Sequence, residues 1–208
     1  MHFFIFGDKD ATIYSGGTTS SINTGADEIL EINKRVAENG TIQNVSRVLI
    51  QFDYRDISSS IQSGKIPTTA KYYLNLYDAG STELSRTQNL FAYMVSGSDW
   101  TEGDGKLDHD PTTTNGVSYQ YRNHDEKTPW VTGSILDDGG SWFTSSIDTQ
   151  YEVSSSVTLT KATQDVRLDV TDLVSNHIYS ASSYPNRGLI IKRESISPTD
   201  FTFSFNTS

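Results

Sequence analysis

Arg47-Val48-Leu49-Ile50-Gln51-Phe52-Asp53 is the stretch that decides the fold. Val48, Ile50 and Phe52 fall on one face of an extended chain, as a strand laid against a core requires. Working outward, residues 1–7 and 11–14 read as short strands on the N-terminal side, and 28–32 alternates apolar with acidic positions. Residues 70–77 (Ala-Lys-Tyr-Tyr-Leu-Asn-Leu-Tyr) form the clearest long strand, followed by 89–95, 157–159, 165–170, a buried strand at 188–193 and a cleanly alternating last one at 201–205. Two places depart from period two. Ile57 and Ile61, four apart, predict one short helix over 56–64, and Thr171 or Asp172 caps another that ends near Ser180.

About eight to ten short strands separated by turn signals give an all-β sandwich or barrel and not a βαβ sheet. At 208 residues such a chain fits one domain. Within it, 97–146 is a loop-rich insertion with poor periodicity, many Gly, Asp and Asn, and one or two short hairpins expected. The chain stops almost inside its last strand, as the N-terminal part of a longer protein would, though a terminal strand completing a sheet reads the same way.

Composition narrows the function classes. A net charge of −10 repels phosphate, so a nucleic-acid partner is not expected. With no cysteine, disulfides and thiolate metal sites are excluded. No apolar run approaches the length of a membrane helix, and the first residues are too short and lack the basic start of a signal peptide. His2, His109, His124 and His177 are scattered without metal-ligand spacing.

Several segments, in order, resemble the DNRLRE-type domain, a jelly-roll sandwich similar to carbohydrate-binding modules. They are 10–14, Asn23-Thr24-Gly25-Ala26, 47–53, 70–77, the Trp100-Thr101-Glu102 turn, Asp169-Val170-Thr171 and Asn186-Arg187-Gly188-Leu189-Ile190. The expanded stretch between Trp100 and Trp142 is similar to versions in virion proteins of tailed bacteriophages. The resemblance therefore implies a jelly-roll sandwich acting as a non-enzymatic virion subunit: fibre, baseplate, neck or capsid-associated. Its partners would be other virion proteins and copies of itself, and its place the virion, assembled in a bacterial cytoplasm. The alternative it implies is a carbohydrate-binding module, or a phage receptor-binding domain that recognises a host-surface glycan.

Site candidates follow from side-chain chemistry. Trp130, Trp142, Tyr119 and Tyr121 offer flat faces that stack on sugar rings or on a protein partner, the alternative being a satellite core beneath the loops. Trp100 is expected in the core. Asp99, Glu102, Asp104, Asp108 and Asp110 form a carboxylate-rich loop that can wrap Ca²⁺, although the spacing is not that of an EF-hand and solvated loop carboxylates are the plainer reading. The jelly-roll resemblance implies a second calcium set, Asp10 with Asp169 or Asp172. A catalytic reading gains nothing from Glu102 with Asp104 or Asp108, where abundant acids pair by chance. Nor does His124 beside Asp125 and Glu126 support one, since no nucleophile motif accompanies it.

Overall fold

The computed structural model describes residues 2–16, 18–36, 42–80, 87–107, 115–132, 135–137, 139–145, 151–160, 165–193 and 201–206. In chain order the elements are β1 (Gly7–Tyr14), β2 (Ile29–Val36), β3 (Ile42–Phe52), α1 (Arg55–Gln62), β4 (Tyr73–Leu76), β5 (Gln88–Met94), β6 (Tyr121–Asn123), β7 (Thr128–Thr132) and β8 (Ile135–Asp137). They continue with β9 (Ser154–Leu159), β10 (Val166–Asp169), α2 (Thr171–Tyr179), β11 (Leu189–Arg193) and β12 (Phe201–Asn206). Every strand pairing among them is antiparallel, and the two helices are short.

One large sheet runs in the order β12-β2-β3-β11-β5-β9, with β1 also paired to β3. Its centre explains the uninterrupted apolar runs Val48-Leu49-Ile50 and Leu189-Ile190-Ile191. Leu189 pairs with Ile50, Ile190 with Leu49 and Ile191 with Val48, so apolar side chains stand on both faces at once. Beneath one face lies the main core. There Val48, Ile50, Leu189, Ile191, Leu90 and Met94 meet Leu74 and Leu76 of β4, Val166 and Leu168 of β10, and Ile57, Leu173 and Val174 of the helices. The small β4–β10 sheet with α1 and α2 is thus the second layer of the sandwich.

The other face is closed by the insertion. Ala11, Ile13, Leu49, Val95 and Ile190 pack against Trp100, Val117 and Trp130, above which β6, β7 and β8 form a three-stranded sheet. Burying each of the Val, Leu and Ile side chains among them contributes about 1.5–3 kcal/mol of transfer free energy. The expected loop with one or two hairpins is therefore a third layer over the middle of the large sheet.

Both helices start on a carboxylate. Asp53 Oδ1 accepts the Arg55 N–H at 2.9 Å, and Asp169 Oδ1 accepts that of Thr171 at 3.0 Å. Helix α1 turns Ile57 inward, with Ile61 packed against the same core, and stops at Gly64, whose φ of 72° is the left-handed closure that glycine takes without strain. Two expected bounds are corrected. Of the strand over 1–7 the structure keeps only Gly7, which opens β1; residues 2–6 lie outside any strand. The 70–77 strand shrinks to Tyr73–Leu76, the four residues that pair with Val166–Asp169 of β10; Leu74 and Leu76 point to the core while Tyr73 and Tyr77 are exposed.

Candidate interaction surface

The Trp100-Thr101-Glu102 turn is built around Asn23, a side chain with no exposure. Asn23 Nδ2 donates to the carbonyls of Glu102 and Val117, while its Oδ1 accepts from the N–H of Gly25 (3.2 Å) and Gly105 (2.8 Å). One amide so ties the β1–β2 connection to two separate parts of the insertion. Backbones must approach closely for this. A Cβ at Gly103 would run into the Asn23 amide, and one at Gly25 into the Glu102 carbonyl. Trp100 fills the space below, 3% exposed, its Nε1 donating to the Arg187 carbonyl at 2.9 Å. Lys9 crosses over its ring at 4.4 Å and donates to the Trp100 carbonyl and to Asp99.

The acidic residues of the turn serve as struts. Asp99 pairs with Lys9 at 2.9 Å and Glu102 Oε1 accepts the Asp10 N–H at 2.9 Å, while the exposed Asp104 donates only its backbone N–H, to Asn115 Oδ1 at 3.3 Å. Burial, with the Glu102 charge beside it, pushes the Asp10 carboxyl up to about 6. Asp10 and Asp169 belong to different sheets, and Asp169 is engaged at the start of α2. Asp108 and Asp110 lie outside the described residues. Among the described residues no three of His, Asp and Glu come together as metal ligands. His124 sits in the β6–β7 turn, edge-on to Tyr121 at 5.1 Å, with Asp125 and Glu126 exposed beside it.

The aromatic candidates separate sharply. Trp130 is corrected from a contact residue to a core residue: it is wholly buried, its Nε1 donates to the Ser118 carbonyl at 3.0 Å, and it presents no face to solvent. Trp142, Tyr119 and Tyr121 are half-buried. Around Trp142 two cations converge, Lys192 at 4.4 Å and Arg47 at 5.1 Å from the ring centre, with Tyr93 tilted against it at 5.9 Å. Arg47 also lies over Tyr119 at 5.3 Å and donates to the Gly139 carbonyl. These contacts staple the insertion to the large sheet, and they leave Trp142 less of its ring for a sugar than the sequence suggests.

What the sequence does not flag is the segment before β1. Phe3, Phe4 and Phe6 are 59%, 75% and 78% exposed, while Ile5 packs against the main core and roots the segment. A second exposed aromatic group lies on the β4–β10 side. It comprises Tyr73, over which Arg167 sits at 4.0 Å, together with Tyr77 and Tyr179, the last stacked on Tyr151. A short apolar run made the phenylalanines look like strand residues, but among the described residues 2–6 pair with no strand.

No described helix is long and apolar enough to cross a membrane. No family model and no curated protein sequence matches the chain.

Proposed function

We propose that this chain is a non-enzymatic structural subunit of a tailed-bacteriophage virion, a fibre, baseplate, neck or capsid-associated component that works by contact with neighbouring virion proteins and with copies of itself. The observation that carries the assembly part is the row of exposed phenylalanines at positions 3, 4 and 6. Large apolar side chains clustered in water mark a surface meant to be covered. Burying three Phe rings would contribute roughly 5–9 kcal/mol of transfer free energy. Association costs of about 4–15 kcal/mol consume most of that, so the segment is an anchor within a wider contact. The exposed tyrosines 73, 77 and 179 offer a second area of suitable chemistry, since tyrosine is enriched at protein interfaces. The virion setting itself rests on the sequence resemblance.

Light scattering of the purified chain, alone and with candidate neighbour proteins, tests this reading. The wild type is expected to form a defined oligomer or a stoichiometric complex, and a Phe3→Ser, Phe4→Ser, Phe6→Ser variant to keep its fold and lose the association. A wild type that stays monomeric at high concentration and binds no neighbour overturns it. The glycan-binding alternative now depends on Trp142, Tyr119 and Tyr121 without Trp130, and no observation favours it over assembly.

A further inference from the structure

Among the described residues the smaller layer of the sandwich ends at β4, which pairs with β10 alone. The parity of that pairing shows which backbone groups stay open. The Val170 N–H donates to the Tyr72 carbonyl at 2.9 Å. Antiparallel pairs alternate between those that exchange hydrogen bonds and those that do not. With Tyr72 turned toward β10, Leu74 and Leu76 therefore bond to Leu168 and Val166. Tyr73, Asn75 and, one step past the strand, Tyr77 direct their N–H and C=O groups away from β10. The Asp169 carbonyl, opposite Tyr73, agrees: it points the other way and accepts from Ser155 Oγ of β9 at 2.6 Å. With β9 on the far side of β10, the open side of this layer is β4.

Three features of that edge fit a second copy of itself. First, Tyr73-Leu74-Asn75-Leu76-Tyr77 reads the same in both directions. An antiparallel copy laid on it about a two-fold axis at Asn75 sets Tyr73 against the partner's Tyr77, Leu74 against the partner's Leu76, and Asn75 against its own equivalent. This register joins residues of equal parity, so the open groups of 73, 75 and 77 meet and roughly six hydrogen bonds form. Second, the side chains match on both faces. Leu74 and Leu76, each 5% exposed, carry the apolar face across the axis, while the exposed Tyr73 and Tyr77 pair ring to ring on the other face. Third, from Tyr72 to Tyr77 there is no charge, proline or bulge, the devices that keep exposed edge strands apart.

We propose that two copies of this chain pair through β4, antiparallel about a two-fold axis at Asn75, joining their smaller layers into one continuous sheet. The proposal rests on the copy-to-copy contact of the assembly reading and gives it a surface, a symmetry and a register. The phenylalanine segment has no part in it.

Cysteine cross-linking of the full chain, which has no cysteine of its own, tests this. Across the axis the two Asn75 Cα atoms would stand about 5.5 Å apart, within the span of a disulfide. Under mild oxidation Asn75→Cys is expected to give a disulfide-linked dimer. Tyr73→Cys and Tyr77→Cys should each stay single, their equivalents lying about 14 Å apart along the strands, yet cross-link to one another when mixed. Asn75→Lys, at an exposed position whose N–H does not serve β10, sets two ammonium groups face to face and should weaken dimerisation in light scattering about tenfold or more. A wild type that oligomerises while Asn75→Cys stays unlinked overturns this contact and leaves the assembly reading standing. A wild type that stays monomeric at high concentration overturns both. Tyr73→Cys linking to itself as readily as to Tyr77→Cys overturns the register. Asn75→Cys linking to Phe4→Cys in place of itself overturns the pairing, since the edge would then hold the leading segment of another copy.

Discussion

Replacing Asn23 by Ala should cost the fold about 4 kcal/mol. The side chain is fully buried and makes four hydrogen bonds, two donated to the Glu102 and Val117 carbonyls and two accepted from Gly25 and Gly105. Each is worth about 1 kcal/mol net, and truncation leaves four backbone groups short of a partner with little room for water. For a chain of this size that corresponds to a melting temperature lower by roughly 8–16 °C. Asn23→Asp keeps both acceptor bonds yet turns a carboxylate toward two carbonyl oxygens, so at pH 7 it should be at least as damaging as alanine. Its deficit should shrink on acidification, when the protonated acid can donate to one of them. Denaturant titrations of the three proteins at pH 7 and pH 5, followed by tryptophan fluorescence, measure all of this. A loss under about 1 kcal/mol for Asn23→Ala would refute the role of the amide as a tie between the β1–β2 connection and the insertion.

Other expectations follow from burial and charge. His177 has a folded pKa of about 4 against an ordinary 6.5. Its contribution should be constant above pH 6.5, fall by about 3 kcal/mol as pH drops to 4, and level below that. His177→Phe should remove that part of the pH slope in denaturant titrations. Asp10, raised to about 6 by burial and Glu102, has the opposite sign: its stabilising contribution is full below pH 4 and lost as pH rises through 6. Asp10→Asn should therefore stabilise the chain at pH 8, by roughly 1 kcal/mol once screening by the solvent that reaches it is allowed for, and differ little at pH 4. Trp130→Ala should cost about 3–5 kcal/mol as a fully buried ring. Trp142→Ala, half-buried, should cost clearly less, and equal losses in unfolding midpoints would contradict the layer assignment.

The strands were legible wherever alternation or apolar runs came with turn residues around them, as at Val48-Leu49-Ile50 and Leu189-Ile190-Ile191. Both helices were legible too, from Ile57 with Ile61 and from the polar start at Thr171. What sequence could not convey is the number of covered faces. A run of three apolar residues is compatible with one partner layer or two, and only the pairing of Leu49 with Ile190 under Trp130 shows two. For the same reason Trp130 and Trp142 looked equivalent, although one completes a core and the other lies at its rim. The phenylalanines before β1 were misread because a strand pattern holds equally for residues that pair and residues that wait for a partner. His177 gave no signal, since its burial comes from packing against Tyr54, far away in sequence.

The way residues 2–6 join the sandwich has a mechanical side. They lead directly into β1, which pairs antiparallel with β3 from Gly7 to Tyr14, with only one irregularity between Gly7 and Lys9. Hydrogen bonds of an antiparallel ladder stand perpendicular to the strands. A pull on the leading segment along the strand axis therefore strains the whole β1–β3 ladder at once, in shear, instead of opening it rung by rung. Lys9 and Asp10 add cross-links to the Trp100 turn at the loaded end. A neighbour gripping the phenylalanines would be holding the protein by a seam loaded in shear.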